Sequence, residues 1–255
     1  MKKIYLVSIA LVMAGCASQE NKMAEYLIKN PKLVFDVIEE HPEQFIEVVN
    51  RAAKKAQELQ YSKQSSALRD QQNEQLKNPL KPDLAESKLL YGSKKSPIVI
   101  VEYADFQCPA CKMAHDSLKQ IKHKYKNQVQ FYFKNMPLDF HKLAMPAAKY
   151  FEAAKLIDRI KAEKFFDLVF ESQSQMRSEE FLKETLKRAG FNVAELLTKM
   201  NRSAVESAIN SDIEEFQKFG FTGTPVVLVN GVALHGAQPI EEIERIIKLT
   251  AARSE

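Results

Sequence analysis

The run Pro97-Ile98-Val99-Ile100-Val101 ends on an acid, Glu102, and six residues beyond that acid stands Cys108, followed by Pro109, Ala110 and Cys111. No other stretch limits the fold as strongly. A continuous β-branched apolar run shows no alternation, so it suits a central strand covered on both faces rather than a half-solvated one. Pro109 lacks the N–H that a first helical residue does not need, so a helix opens directly after Cys108 and runs to about Tyr125. A second strand, "VQFYFKN" from Val129 to Asn135, follows. Strand, helix and strand make a βαβ unit, whose crossover is right-handed by rule.

From His141 to Phe219 the apolar spacing is helical. A block of that length is not a loop, and it reads as a helical subdomain inserted at about 140–219. Asn192 and Glu195 form a capping box, and Gly190 and Gly220 stand where helices stop. The segment "TPVVLVNGVALHG" reads as a hairpin, Val226–Val229 against Val232–His235, with Asn230-Gly231 suited to a type I′ turn. A last helix spans about Pro239 to Ala252. The fold class is α/β.

Ahead of this domain, residues 23–75 form a helical arm. An echo at offset 11 pairs Leu27 with Ile38, Pro31 with Pro42 and Val34 with Phe45, and both prolines suit helix starts. Phe45, Ile46, Val48, Val49, Ala52 and Leu59 keep a helical stripe. Two readings stay open: an arm folded back on its own domain, or an oligomerisation arm joining copies of the chain through residues 23–60. Asn78-Pro79 and Lys81-Pro82 end the helix. A linker is expected at 76–90 and the catalytic domain at 91–255.

The N-terminus, "MKKIYLVSIALVMAGCASQE", carries two lysines, an apolar stretch too short to span a bilayer, and a small-residue pair before Cys16. It resembles a bacterial lipoprotein signal, with Met13 where leucine is usual. The resemblance implies cleavage of residues 1–15, lipid attachment at Cys16 and a tether at 16–22. An ordinary secretory signal with an incidental cysteine is the alternative, and either one exports the chain. Ala17 is not the aspartate associated with inner-membrane retention, which favours the outer membrane. A formal charge of +4, with no basic run interleaved with aromatics, gives no sign of nucleic-acid binding.

The chain has three cysteines. If Cys16 carries lipid, Cys108 and Cys111 pair with each other or with another molecule. A structural zinc site needs four ligands, and the sequence offers one C-x-x-C with no second pair, so no metal site is assigned. Copper(I), which accepts fewer and softer ligands, or a bound client is the alternative use of the same cysteines. A disulfide closing so small a loop stabilises little. A redox role explains more. Cys108 at a helix N-terminus is placed to ionise, and Cys111, one turn on, is placed to resolve a mixed disulfide. Glu102 on an apolar strand is a candidate buried acid exchanging protons with Cys111. Asp105, nearer the loop, reads as a solvated charge, and His41, His123 and His141 as surface or helix-end residues. Thr224-Pro225, before the hairpin, is a candidate cis bond.

"IVIVEYADFQCPAC", a helical insertion and "GTPVVLVNG" in that order resemble the DsbA-like branch of the thioredoxin superfamily over about 89–255. The resemblance implies a thioredoxin-like fold with an inserted helical subdomain. It also implies a thiol–disulfide oxidoreductase without cofactor, acting on exported cysteine-containing proteins and served by a membrane redox partner. It maps the nucleophile to Cys108, the resolving thiol to Cys111, the buried acid to Glu102, the cis-proline to Pro225, and backbone contacts with a client peptide to Thr224. Pro109-Ala110 tunes the couple. Strongly oxidising members have histidine where Ala110 stands, so Ala110, Thr224 and the arm favour an isomerase or reductase.

Overall fold

The computed structural model describes residues 22–200 and 202–252. The signal segment, Cys16 and most of the tether lie outside the described residues. The chain divides into two units, the first ending at Leu68 and the second beginning at Arg69.

The first unit is helical. Helix α1 occupies 22–29, α2 is Pro31–Glu40, and α3 is Pro42–Lys77, whose last turns belong to the second unit. Pro31 and Pro42 each open a helix, as the repeat in the sequence suggests. α2 has no buried side chain. Leu27, Val34, Phe35, Val37, Phe45, Ile46, Val48 and Val49 are all exposed. No helix among the described residues is long and apolar enough to cross a membrane.

The second unit is built on a five-stranded sheet of order β1-β3-β2-β4-β5. The strands are β1 Leu89–Tyr91, β2 Ile98–Ala104, β3 Val129–Asn135, β4 Val226–Val229 and β5 Val232–His235. β2 and β3 run parallel, in register from Ile98 opposite Val129 to Ala104 opposite Asn135. α4, Pro109–Tyr125, connects them. β4 lies antiparallel to β2 on its other side, so β2 is central, as its unbroken apolar run requires. α5 Ala144–Lys155, α6 Arg159–Glu171, α7 Glu179–Ala189, α8 Val193–Met200 and α9 Ser203–Lys218 form the insertion, and α10 Ile240–Ala251 closes the fold.

Strand alternation sorts β2 between two cores. Ile98, Ile100 and Ala104 join the larger cluster, with Leu118 and Ile121 of α4, the phenylalanines of α5 and α6, and Ile243, Ile246 and Ile247 of α10. Val101 and Tyr103 join a smaller cluster with Phe216 and Phe221. Buried charges bind the second face. Lys134 of β3 pairs with Glu215 of α9, which also accepts from the Tyr103 hydroxyl. Glu215 takes the Asp83 N–H at 2.6 Å as well. Lys88 meets Asp212 at 2.7 Å, and Asp212 accepts the Asn135 N–H at 2.9 Å.

The sheet differs from the sequence reading at one edge. The linker expected at 76–90 is not a free hinge. Leu76 packs on the larger core, and Leu80 and Leu84 on the smaller. The Leu80 N–H donates to the Gly231 carbonyl at 2.9 Å. Residues 89–91, divided between linker and domain in the sequence reading, form an edge strand paired antiparallel with β3. The hairpin turns at Asn230 and Gly231, with φ of 48° and 83°, both in the left-handed region expected of a type I′ turn. Gly231 has a second reason to lack a side chain: a Cβ there would stand 2.5 Å from the Leu80 carbonyl oxygen.

Candidate active site

The site forms where β2 ends. Ala104 leaves the sheet, Phe106 plunges into the aromatic cluster, and Cys108 becomes the residue before α4. Phe106 stacks on Phe170 at 5.2 Å between centroids and packs at 5.1 Å from Phe133. This anchors the loop from below. From above, Gln173, just after α6, donates its side-chain amide to the carbonyls of both Phe106 and Cys108, each at 2.9 Å. Gln107 in turn accepts the Leu143 N–H through its side chain.

Cys108 and Cys111 are unlinked, and their environments are opposite. Cys108 keeps 8% of its surface, whereas Cys111 has none. The Cys111 thiol beside it, with the N–H groups of Cys111 and Ala110 at the start of α4, lowers the Cys108 thiol to about 5 against the opposing effect of burial. Pro109, at the first helical position, leaves those N–H groups aimed at the sulfur. Burial first, then the interaction with Cys108, pushes the Cys111 thiol far up. Cys108 is thus the ionised partner and Cys111 the protonated one.

Thr224 faces this pair from the far side of the site. Its carbonyl lies 3.7 Å from Cys108 Sγ and accepts from it only when the thiol is protonated. The Thr224–Pro225 bond is cis, and the Pro225 carbonyl accepts the Gly236 N–H at 2.9 Å, fixing the loop to the hairpin. The Thr224 hydroxyl is buried with no other partner, and it too acts to lower the Cys108 thiol. Ala110 is half-buried against the larger core.

Glu102 lies in the middle of β2, opposite Phe133 on one side and Val227 on the other. It is fully buried, and neither carboxyl oxygen has a hydrogen-bond partner. Burial alone pushes its carboxyl up to about 8. It shares the strand face of Ile100 and Ala104, the face that α4 covers. Its charge adds to the influences that keep Cys111 protonated.

Two sequence expectations are corrected. Asp105 is not a solvated loop charge; its side chain is fully buried. Its carboxylate accepts from the Gln107 N–H at 2.6 Å, the Leu138 N–H at 2.9 Å and the His141 ring at 2.8 Å. Three donors are what make burial of that charge tolerable. His141 is accordingly not a plain surface residue but the ring that meets this carboxylate. The sequence signal for Asp105 was its place two residues before Gln107, the spacing of an Asx turn. Gln173 carried no local signal. Among the described residues, no group of three or more His, Cys, Asp or Glu side chains could hold a metal ion.

The Thioredoxin family model matches residues 84–249. The chain belongs to the thioredoxin family. Among its relatives, the probable disulfide bond formation protein D of Bacillus anthracis is 29% identical over 149 residues, 55% of this chain and 68% of that protein. The Na(+)/H(+) antiporter NhaA 3 of Salinispora tropica is 26% identical over 170 residues, 66% of this chain. The match spans only 25% of that antiporter's length. Among solved structures, oxidised BdbD from Bacillus subtilis superposes with a TM-score of 0.59 at 23% identity, covering 67% of this chain and 95% of that one. The thiol–disulfide exchange protein α-DsbA2 from Wolbachia pipientis gives 0.57 at 20% identity, covering 62% and 83%. These likenesses show a thioredoxin fold, and in this chain it carries the helical insertion the sequence suggests.

Proposed function

We propose that this thioredoxin-family chain is a thiol–disulfide oxidoreductase acting on exported cysteine-containing proteins. The observation that carries the proposal is the split between the two thiols: Cys108 lowered and keeping 8% of its surface beside a cis-proline loop, Cys111 fully buried and protonated. The Cys108 thiolate attacks a client disulfide, forming a mixed disulfide and releasing one client sulfur as a thiolate. Cys111 then gives up its proton and attacks Cys108 Sγ. The bond to the client breaks, and the second client sulfur leaves with the electron pair. The client gains two electrons and the chain ends as a Cys108–Cys111 disulfide; the reverse sequence oxidises a client. Glu102 in its ionised form takes the Cys111 proton in one direction, and in its protonated form returns it in the other. Thr224 and Pro225 flank the client strand, and Pro109 and Ala110 tune the pair.

Within this activity we favour isomerisation or reduction. A Cys108 thiol lowered to about 5 lies between the roughly 3.5 of a strong oxidant and the roughly 7 of a reductant and favours neither; the preference rests on the following features, which agree with one another. Ala110, Thr224 and the exposed apolar stripe of α2 and α3 point the same way, the stripe as an oligomerisation surface of residues 23–60. A lipid anchor at Cys16, an extracytoplasmic site at the outer membrane, and a membrane redox partner complete the proposal. The test is refolding of a scrambled disulfide substrate by the mature chain and by a chain lacking residues 23–60. Isomerisation by the mature chain alone supports the reading; oxidation without isomerisation by both refutes the preference. A Cys108→Ser chain that keeps full activity refutes the enzyme.

A further inference from the structure

Several polar connections of the catalytic loop converge on one residue that the exchange chemistry itself does not use. The Asp105 carbonyl accepts the Cys108 N–H at 3.1 Å. The Asp105 N–H donates to Cys111 Sγ at 3.4 Å. Its carboxylate binds the Gln107 N–H within the loop, and reaches across to the Leu138 N–H and the His141 ring in the segment between β3 and α5. A backbone N–H cannot choose its direction alone. Here the side chain of the same residue is held at three points, so the N–H is fixed toward the sulfur.

We infer that Asp105 is the positioning residue of the resolving step: its carboxylate, tethered by His141, holds the N–H that receives the Cys111 sulfur as its thiolate forms. This rests on the oxidoreductase reading above. In that step the Cys111 S–H bond breaks, its sulfur bonds to Cys108 Sγ, and the client sulfur departs with the electron pair of the broken disulfide. Cys111 develops negative charge at a fully buried sulfur. Burial opposes that charge, whereas the Asp105 N–H favours it. A hydrogen bond to a charged atom in such a place changes a rate by roughly tenfold or more. Cys108 has other donors, the N–H groups at the start of α4, so the first attack depends less on Asp105.

The two steps separate in one experiment. The reduced chain, with Cys16 replaced by serine so that only Cys108 and Cys111 can react, is mixed with Ellman's reagent, an aromatic disulfide that releases a coloured thiolate. The first release reports attack by Cys108, and the second reports attack by Cys111 on the mixed disulfide. Asp105→Ala slows the second release about tenfold or more while the first stays within about threefold. Asp105→Asn keeps an acceptor for the Gln107 N–H but not for Leu138, so it falls between. His141→Ala removes one of the three bonds, slows the second release more than the first, and stands in should Asp105→Ala fail to fold. An unchanged second release, or equal slowing of both, overturns the inference. Absence of two releases from the chain with Asp105 and His141 intact refutes the oxidoreductase reading itself, a different result.

Discussion

Glu102 should write a pH dependence into the stability of the reduced protein. Its carboxyl is wholly buried and unpartnered, and burial moves it from an ordinary 4.5 up to about 8. Below about 4.5 the folded and unfolded chains both hold this proton, and its titration costs nothing. As pH rises, the unfolded chain releases the proton first, while the folded chain keeps it to about 8. Stability therefore falls through this window, by at most about 1.4 kcal/mol per pH unit, and levels off above it. From 4.5 to 7 the loss is about 3 kcal/mol, and over the whole interval to about 8 it is about 5 kcal/mol. Glu102→Leu removes the titration and keeps an apolar filling. Urea unfolding of the reduced protein and the variant, in steps from about pH 5 to about pH 8, isolates the effect, because other groups titrate equally in both. The variant's advantage should grow by about 3 to 4 kcal/mol across the series, and its disulfide exchange should slow for want of a proton partner. Two parallel stability profiles would refute both the buried acid and its role with Cys111.

Three further outcomes follow from the same geometry. Cys111→Ala should raise the pH at which the Cys108 thiolate appears in ultraviolet absorbance, above the present value of about 5, because the Cys111 thiol is the largest cause of its lowering. Lys134→Met should destabilise the fold by about 1 to 3 kcal/mol in chemical denaturation, since it leaves the half-buried Glu215 with only neutral donors. Gln173→Ala should cost about 1 to 2 kcal/mol and speed hydrogen exchange at the start of α4, because two loop carbonyls lose one shared donor.

Where a pattern is local, the sequence disclosed the structure closely. β2, β3, α4 and the hairpin are carried by β-branched runs, a proline at a helix start and an Asn-Gly turn, all readable within a few residues. The burial of Glu102 was legible because its neighbours leave the strand no solvent face. β1 was not legible: three residues show no period, and its partner, β3, lies some forty positions away. Asp105 looked solvated because its donors, Leu138 and His141, belong to another loop that only the folded sheet brings near. Gln173 was invisible for the same reason, its two acceptors standing 67 and 65 residues away.

The segment between Arg69 and Lys88 determines where the catalytic domain can be cut. The family match begins at residue 84, and a chain trimmed to that point would appear complete. It would lose the Gln75 side chain that accepts the Ala233 N–H at 2.8 Å, leaving a backbone donor of β5 exposed. It would also uncover the turn at Gly231, whose bare backbone is shaped to the passage of Pro79 and Leu80. An expression fragment beginning at Arg69 keeps both seals, so the usable start of the domain lies some fifteen residues ahead of its recognisable sequence.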